Sequence, residues 1–500
     1  MLAPEVCDRA RLARDRRFDG RFFTGVRTTR IYCRPICPVR PARSENVRFF
    51  PTAAAAELAG FRPCLRCRPE AAPGSPAWRG SAATVSRGLA LIDRGFLDGH
   101  DLHELAAALG MGSRHLTRLF VRHCGAPPGT MARTRRVQVA KRLLDETALP
   151  VTEIALAAGF SSLRRFNSAF RTTYGRSPSH VRRLRVGAAE RSGTIALRLY
   201  YRPPYDWPAM LRVLSAEALP GVECVLEHEY RRTIALDGTH GWLVVRRAGH
   251  EHGLHVSLHL ADFSRLRTAI DRLHTMFDLR ADPVSIRRAL TAVLPNGSAR
   301  ARWDGPRIPG AWDGFEVAVR AVVTRYVGRA DTQRVMSSLV EHFGRPISGT
   351  GPPGLRRLFP SPRALSGASP GWGGLPPRLA AAIRRLARSV ARGRITFDPG
   401  VAFPDLVERL VAETGLDRGA AEWIGMRTLG EPDADVAAWL GLPDRLRAWW
   451  ERRRTQEALR PWRSYAALCL TRGVEPPMAR RRSTRSAVGA GSRAAPAAGR

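Results

Sequence analysis

Apolar positions change their spacing along the chain, and each change marks a different kind of element. Up to about residue 70, short apolar runs such as FF and VRFF alternate with turn-forming residues, predicting a loop-rich segment with short strands. Residues 85–183 place apolar side chains three and four apart, the spacing of one buried helix face, and are predicted helical. Period-two alternation in TIALRLYY and WLVVRR predicts half-buried strands. From about residue 283 to 473 the helical spacing resumes. AAPGSPAWRGS and VGAAERSGT are predicted linkers, and the tail PPMARRRSTRSAVGAGSRAAPAAGR is predicted to be disordered.

Five hundred residues exceed one compact core, so three or four domains are expected. The formal net charge of +37 points to a polyanionic partner, and nucleic acid is expected ahead of a membrane surface. Lys141 is the only lysine, a skew that codon bias explains; the excess of basic over acidic residues is a separate matter. No run of about eighteen apolar residues occurs, and the N-terminus lacks the apolar core of a secretory signal, so a cytoplasmic, nucleoid-associated protein without a membrane partner is expected.

Of eight cysteines, Cys7, Cys124, Cys224 and Cys469 are scattered and read as structural or incidental. Cys33 and Cys37 lie four apart, and Cys64 and Cys67 form a CxxC pair. Two such pairs can close a tetrahedral four-thiolate Zn2+ site, which in a domain this small supplies about 10–16 kcal/mol of folding energy. On spacing alone this is a structural zinc knuckle. The surrounding DGRFFTGVRTTRIYCRPICPVR, ENVRFF and AGFRPCLRCRPE resemble the N-terminal domain of Ada, the methylphosphotriester sensor. The resemblance implies that Cys33 is both zinc ligand and methyl acceptor, and that Thr29, Arg40, Arg62 and Arg66 contact DNA. Arg30 stands where that family usually has glycine.

LHELAAALGMGSRHLTRLF has a helix, glycine turn, helix rhythm with Gly110 near the turn, and VTEIALAAGFSSLRRFNSAFRTTYGRSPSHVRR repeats it with Gly159. RRVQVAKRLLDET reads as a linking helix. The tandem units and their closing YGRSP resemble the AraC family of DNA-binding domains. Ser113 and Ser161 are expected to cap the two recognition helices. Arg114, His115 and Arg118 on the first, and Arg164, Arg165 and Asn167 on the second, are candidates for the major groove, although basic helix faces are more often solvated than base-reading.

RPPYDWPAMLRVLSAEALPGVE, EYRRTI and MFDLRADP resemble the N-terminal domain of AlkA, the alkylbase glycosylase. GAWDGFEVAVRAVV, RLVAETGLDRGAAEWIGMRTLGEPDADV and RPWRSYAAL resemble its helix-hairpin-helix core. That family binds phosphate at a glycine hairpin and flips the target base into an aromatic pocket beside a carboxylate. Here the hairpin Gly-apolar-Gly is Gly415-Leu416-Asp417, and the aspartate is expected to set negative charge and a β-carbon against phosphate. Gly419-Ala420 replaces Trp-Thr, Arg325-Tyr326-Val327-Gly328 replaces Gln-Gln-Val-Ser, and Thr471 replaces a late tryptophan. Trp439 aligns with the catalytic aspartate; Asp435 and Asp444 are the nearest carboxylates, and Asp435 is the candidate displaced catalyst. Trp423, Met426, Arg427 and Pro461-Trp462-Arg463-Ser464-Tyr465 are retained. A Schiff-base lyase is excluded because no lysine follows Lys141, and an iron–sulfur glycosylase because this half has only Cys224 and Cys469.

The expected fold is multidomain: a small zinc α+β domain (1–72), an all-α tandem helix-turn-helix domain (83–184), a small α+β domain like the AlkA N-terminus (194–282) and an all-α helix-hairpin-helix glycosylase domain (283–474), then a basic tail (475–500). The expected function is a DNA alkylation-damage response. Cys33 takes a methyl group from the methylated backbone of double-stranded DNA, promoter DNA is then bound and transcription activated with RNA polymerase as partner, and the glycosylase-like half is catalytically impaired. The alternatives are an active DNA-3-methyladenine glycosylase coupled to the sensor and a zinc-stabilised regulator without methyl transfer.

Overall fold

Two antiparallel-rich sheets and a long succession of helices are laid out in chain order. A computed structural model describes residues 2–72, 81–93, 95–147, 149–183, 194–236, 238–249, 252–261, 265–295, 305, 307–347, 351–369, 375–398 and 401–471; the tail and most of both expected linkers lie outside them.

The first sheet has the order β3-β1-β2-β4, with β1 (Phe23–Val26), β2 (Ile31–Cys33), β3 (Val47–Phe50) and β4 (Arg62–Pro63). Phe23, Tyr32, Phe50 and Phe61 pack against Ala53, Ala55 and Ala56 of the helix Ala53–Leu58, which Thr52 caps by accepting from the Ala55 N–H. The β1–β2 hairpin turns at Arg30, whose φ of +57° is left-handed. A side chain there costs about 1–2 kcal/mol, which is why glycine suits the position. The Arg30 guanidinium lies 5.7 Å over the Phe61 ring, a contact that offsets part of that cost.

The helical middle contains two helix-turn-helix units. Leu102–Ala108 and Ser113–Cys124 are joined through Gly110 (φ +70°); Val151–Ala157 and Leu163–Tyr174 are joined through Gly159 (φ +88°). The helix Pro128–Glu146 links them. The expected caps are each displaced. Ser113 is already the first helical residue, after Gly112, and the second helix is capped by Ser162, not Ser161. The cap must have extended backbone and reach the third amide ahead; Ser162 does so, accepting from the Arg165 N–H at 3.3 Å.

The second sheet has five strands where alternation predicted two: β5 (Thr194–Tyr200), β6 (Glu223–Val225), β7 (Glu229–Leu236), β8 (Thr239–Arg247) and β9 (Gly253–Leu260), ordered β5-β9-β8-β7-β6 and all antiparallel. Its inner face, with Leu197, Leu199, Val245 and Val256, shares one core with Leu211 and Leu273 from neighbouring helices, with Val137 of the linking helix and with Ile154, Phe166 and Phe170 of the second helix-turn-helix unit. That shared core fixes the second helix-turn-helix unit to the sheet, since each fully buried large apolar side chain contributes about 1.5–3 kcal/mol.

The remaining helices enclose a second core around Val319, Val322, Leu339, Ile383, Leu386, Leu406 and Ile424. The longest, Gly314–Phe343, is broken at Gly328 (φ 75°, ψ 171°), a conformation only glycine adopts readily. Ion pairs join this bundle to the sheet domain: Arg427 grips Glu217, at the end of the helix Trp207–Glu217, at 3.1 and 2.9 Å, and Arg232 of β7 meets Glu316 at 2.9 Å in a buried pair.

Candidate zinc centre and nucleic-acid interfaces

Parallel pairing of β2 with β4 matches Tyr32 with Pro63 and so brings the residues that follow, Cys33 and Cys64, side by side. Cys37 and Cys67 close the group, and all four sulfurs lie within 4.8 Å of one another. A tetrahedron with Zn–S of about 2.3 Å has edges of about 3.8 Å, so the all-thiolate set fits zinc. Cys64 and Cys67 are buried, whereas Cys33 and Cys37 are partly open. The Cys67 sulfur accepts the Arg34 backbone N–H at 3.3 Å. The hydrogen bond shared with Cys33 holds the Cys64 thiol below its ordinary range and pushes Cys67 above it, the behaviour of sulfurs packed closely enough to share protons.

Sequence reading missed the supports of this centre. Arg34 forms a buried pair with Asp19 and donates to the Cys67 carbonyl at 3.1 Å. Tyr32, entirely buried beside Cys33, donates to Glu57. Arg34 lies between Cys33 and Cys37, but its partners Asp19 and Cys67 stand 15 and 33 residues away, separations that no local pattern ties together. Thr29, Arg40, Arg62 and Arg66 are all exposed, and the Arg62 N–H donates to the Arg30 carbonyl at 2.8 Å, next to β2. Of the scattered cysteines, Cys7 and Cys124 are buried thiols pushed up to about 11 and about 12 by desolvation, which disfavours the reactive thiolate.

On the first recognition helix Leu116, Leu119, Phe120 and Cys124 are buried, leaving Arg114, His115 and Arg118 on the open side. On the second, Phe166, Phe170 and Tyr174 are buried, Arg164 and Arg165 are exposed, and Asn167 is half-buried.

In the helical bundle the hairpin after Thr414 keeps its left-handed Gly415 (φ +70°). The aspartate behaves differently from the expectation of a crowding β-carbon. Asp417 has φ −68°, which any residue adopts, and caps the helix Arg418–Leu429 by accepting from the Ala420 N–H at 2.9 Å. Its other oxygen meets Arg325 at 3.3 Å. An internal carboxylate therefore sits at the helix N-terminus, where this fold type binds phosphate. Trp439 packs on Trp423 with ring centroids 5.5 Å apart and planes tilted by 38°, beside Gly419, and Arg329 lies 5.7 Å over the Trp439 ring. Asp435 accepts from the Trp450 indole N–H at 2.9 Å and its backbone N–H donates to Glu422. Asp444 is exposed and pairs with Arg447 at 3.0 Å. The Thr471 hydroxyl is turned back onto the Ala467 carbonyl at 2.8 Å. No described helix is long and apolar enough to cross a membrane.

A four-thiolate zinc domain, two helix-turn-helix units and a glycosylase-like helical bundle behind a small sheet domain together define a class: a DNA-binding regulator fused to a base-excision fold. Residues 6–70 match the family description "Metal binding domain of Ada", residues 105–184 "Helix-turn-helix domain" and residues 196–313 "AlkA N-terminal domain". The chain is 39% identical over 487 residues, 95% of its length and 97% of the relative's, to the Mycobacterium tuberculosis protein described as "Probable bifunctional transcriptional activator/DNA repair enzyme AlkA". On that match the chain belongs to the family of bifunctional transcriptional activator/DNA repair enzymes that unite Ada-type and AlkA-type parts. It is also 28% identical over 287 residues to DNA-3-methyladenine glycosylase 2 of Escherichia coli, covering 56% of this chain and 98% of that protein. Over 151 residues it is 39% identical to the bifunctional activator/repair enzyme Ada of Escherichia coli, covering 30% of this chain and 40% of that one.

Proposed function

We propose that the protein is an alkylation-damage sensor and transcription activator in which Cys33 accepts a methyl group from a DNA methylphosphotriester. The observation that carries this is the four-sulfur cluster itself, in which Cys33 is partly open while Cys64 and Cys67 are buried and Cys67 accepts the Arg34 N–H. Zinc, when bound, keeps the sulfurs ionised at neutral pH. The Cys33 sulfur attacks the methyl carbon, the carbon–oxygen bond breaks, and its electron pair stays on phosphate oxygen, leaving an ordinary diester anion and a thioether at Cys33. Nothing among the described residues regenerates the thiol, so each chain turns over once. The centre becomes less negative by one charge, which weakens its repulsion of phosphate and favours DNA binding. Thr29, Arg40, Arg62 and Arg66 would seat the backbone, and Arg114, His115, Arg118, Arg164, Arg165 and Asn167 would read promoter DNA. RNA polymerase is the partner activation requires, and the nucleoid the place of action.

The glycosylase-like half is proposed to have little or no base-excision turnover. Supporting this, Trp439 stands at the position aligned with the catalytic aspartate and packs on Trp423, while Asp435 is engaged by Trp450. The second reading, an active glycosylase, is favoured by the near-complete coverage of the Escherichia coli enzyme. One experiment separates them: incubate the protein with methylated duplex DNA and measure both the mass of the Cys33 peptide and free methylpurine. One added methyl without methylpurine supports the proposal; an unmodified Cys33 overturns the sensor, and rapid methylpurine release overturns the impairment.

A further inference from the structure

The zinc domain is tied to the sheet domain by contacts that end on a ligand sulfur. Arg202, just after β5, is fully buried; its Nε donates to the Asp19 carbonyl at 3.0 Å and a terminal nitrogen to the Arg280 carbonyl at 3.0 Å. The Asp19 carboxylate accepts from Arg34 Nε at 2.8 Å, and the Arg34 backbone N–H lies on the Cys67 sulfur. Tyr200, the last residue of β5, sets its ring 5.7 Å from the Arg34 guanidinium. Nearby, Arg21 meets Asp282 at 3.4 Å, and Asp282 caps the first helix of the C-terminal bundle, Pro283–Thr291.

We infer that the AlkA-like half completes the zinc centre, with Arg202 and Tyr200 as positioning residues that hold Arg34 and, through it, the N–H···S bond on Cys67. Partners outside the ligand set orient ligands and tune a metal site, and their loss costs about 10–100-fold in metal affinity. An N–H and a nearby cation draw charge from the Cys67 sulfur and lower its nucleophilicity, which leaves Cys33 as the reactive ligand. A fold with an altered base pocket thereby retains a physical role, that of clamping the sensor. The inference rests on the four-thiolate centre of the proposed function and not on methyl transfer itself.

The test uses the full chain loaded with Co2+, whose thiolate charge-transfer and ligand-field bands report sulfur geometry and donation directly. Arg202→Met is expected to shift those bands and to speed chelator-driven metal loss by roughly tenfold or more. Arg202→Lys, which keeps the cation and one donor, restores part of both. Arg267→Met, which breaks a contact to Asp98 away from the zinc domain, leaves both unchanged. Should Arg202→Met fail to fold, Tyr200→Leu carries the test with a smaller shift in the same direction. Unchanged bands and release rate in folded variants overturn the inference. If the bands shift while the unaltered protein never methylates Cys33, the clamp stands and the sensor proposal falls.

Discussion

Thr134, on the helix linking the two helix-turn-helix units, donates its hydroxyl to Glu57 of the zinc domain at 2.6 Å, and Tyr32 donates to the other Glu57 oxygen at 2.9 Å. A carboxylate buried between the two domains is thus shared by the strand that carries Cys33 and the helix that links the two helix-turn-helix units. Thr52 adds a second tie, donating to the Cys124 carbonyl at the end of the first recognition helix at 2.8 Å. Burial raises the Glu57 pKa, so its donors matter. Thr134→Val is expected to cost about 1–3 kcal/mol at this contact, because a buried acceptor loses its partner. Hydrogen exchange of the Ala53–Leu58 amides is the measurement, with roughly tenfold or greater acceleration expected and unchanged protection counting against the coupling.

Asp417 occupies the helix N-terminus that would otherwise receive a phosphate, and Arg325 is engaged in holding it. Asp417→Gly should free both. The expected outcome is tighter binding of non-specific duplex DNA and a steeper salt dependence, by about 0.9 in log–log slope for each phosphate gained. Fluorescence anisotropy over a salt series reads this, and a slope equal to the parent's would show that the hairpin does not touch DNA.

Trp439→Asp places a carboxylate at the aligned catalytic position without rebuilding the pocket. Gly419 and Thr471 stand where the resemblance to the glycosylase family places tryptophans, and Arg329, which now lies over the Trp439 ring, would pair with the new carboxylate. Methylpurine release is therefore expected to stay at the parent level, without the about 10²–10⁴-fold that a positioned acid–base group contributes. Release restored by this single change would mean the pocket is intact.

Asp278 accepts from Tyr465 at 2.7 Å and from the Ile308 N–H at 3.0 Å at the junction of the sheet domain and the bundle. Desolvation nonetheless raises its pKa to about 6 from 3.8. An acid whose folded pKa is raised stabilises the fold fully below its unfolded pKa and loses that contribution as pH rises through the folded value. The junction should therefore weaken between about pH 4 and about pH 6 and then level off. Asp278→Asn should remove that slope, which thermal unfolding of the C-terminal half at several pH values would show; a slope that survives the substitution places its origin elsewhere.

The four cysteines were legible because ligand spacing is a local property, and the helix-turn-helix units because a helix face repeats every three to four residues. Cap positions were off by one at Ser162, since the cap depends on where the backbone turns extended and not on which serine comes first. Only two of five strands in the second sheet were read. Of the three that were not, β6 is only three residues long, and Glu229 and Arg232 in β7 are buried polar residues satisfied by distant partners.

By itself the sequence determined the kinds of parts present and the chemistry of their ligands, because metal-binding spacing, helical period and turn glycines act over a few residues. It also showed which glycosylase side chains had been replaced. Only the tertiary structure decided what those replacements do: Asp417 seals its own helix end, Trp439 packs into the space beside Gly419, and Arg202 reaches from one domain to support a ligand of another. Those outcomes depend on contacts between residues up to 183 positions apart, which burial and charge pairing select and no local pattern encodes.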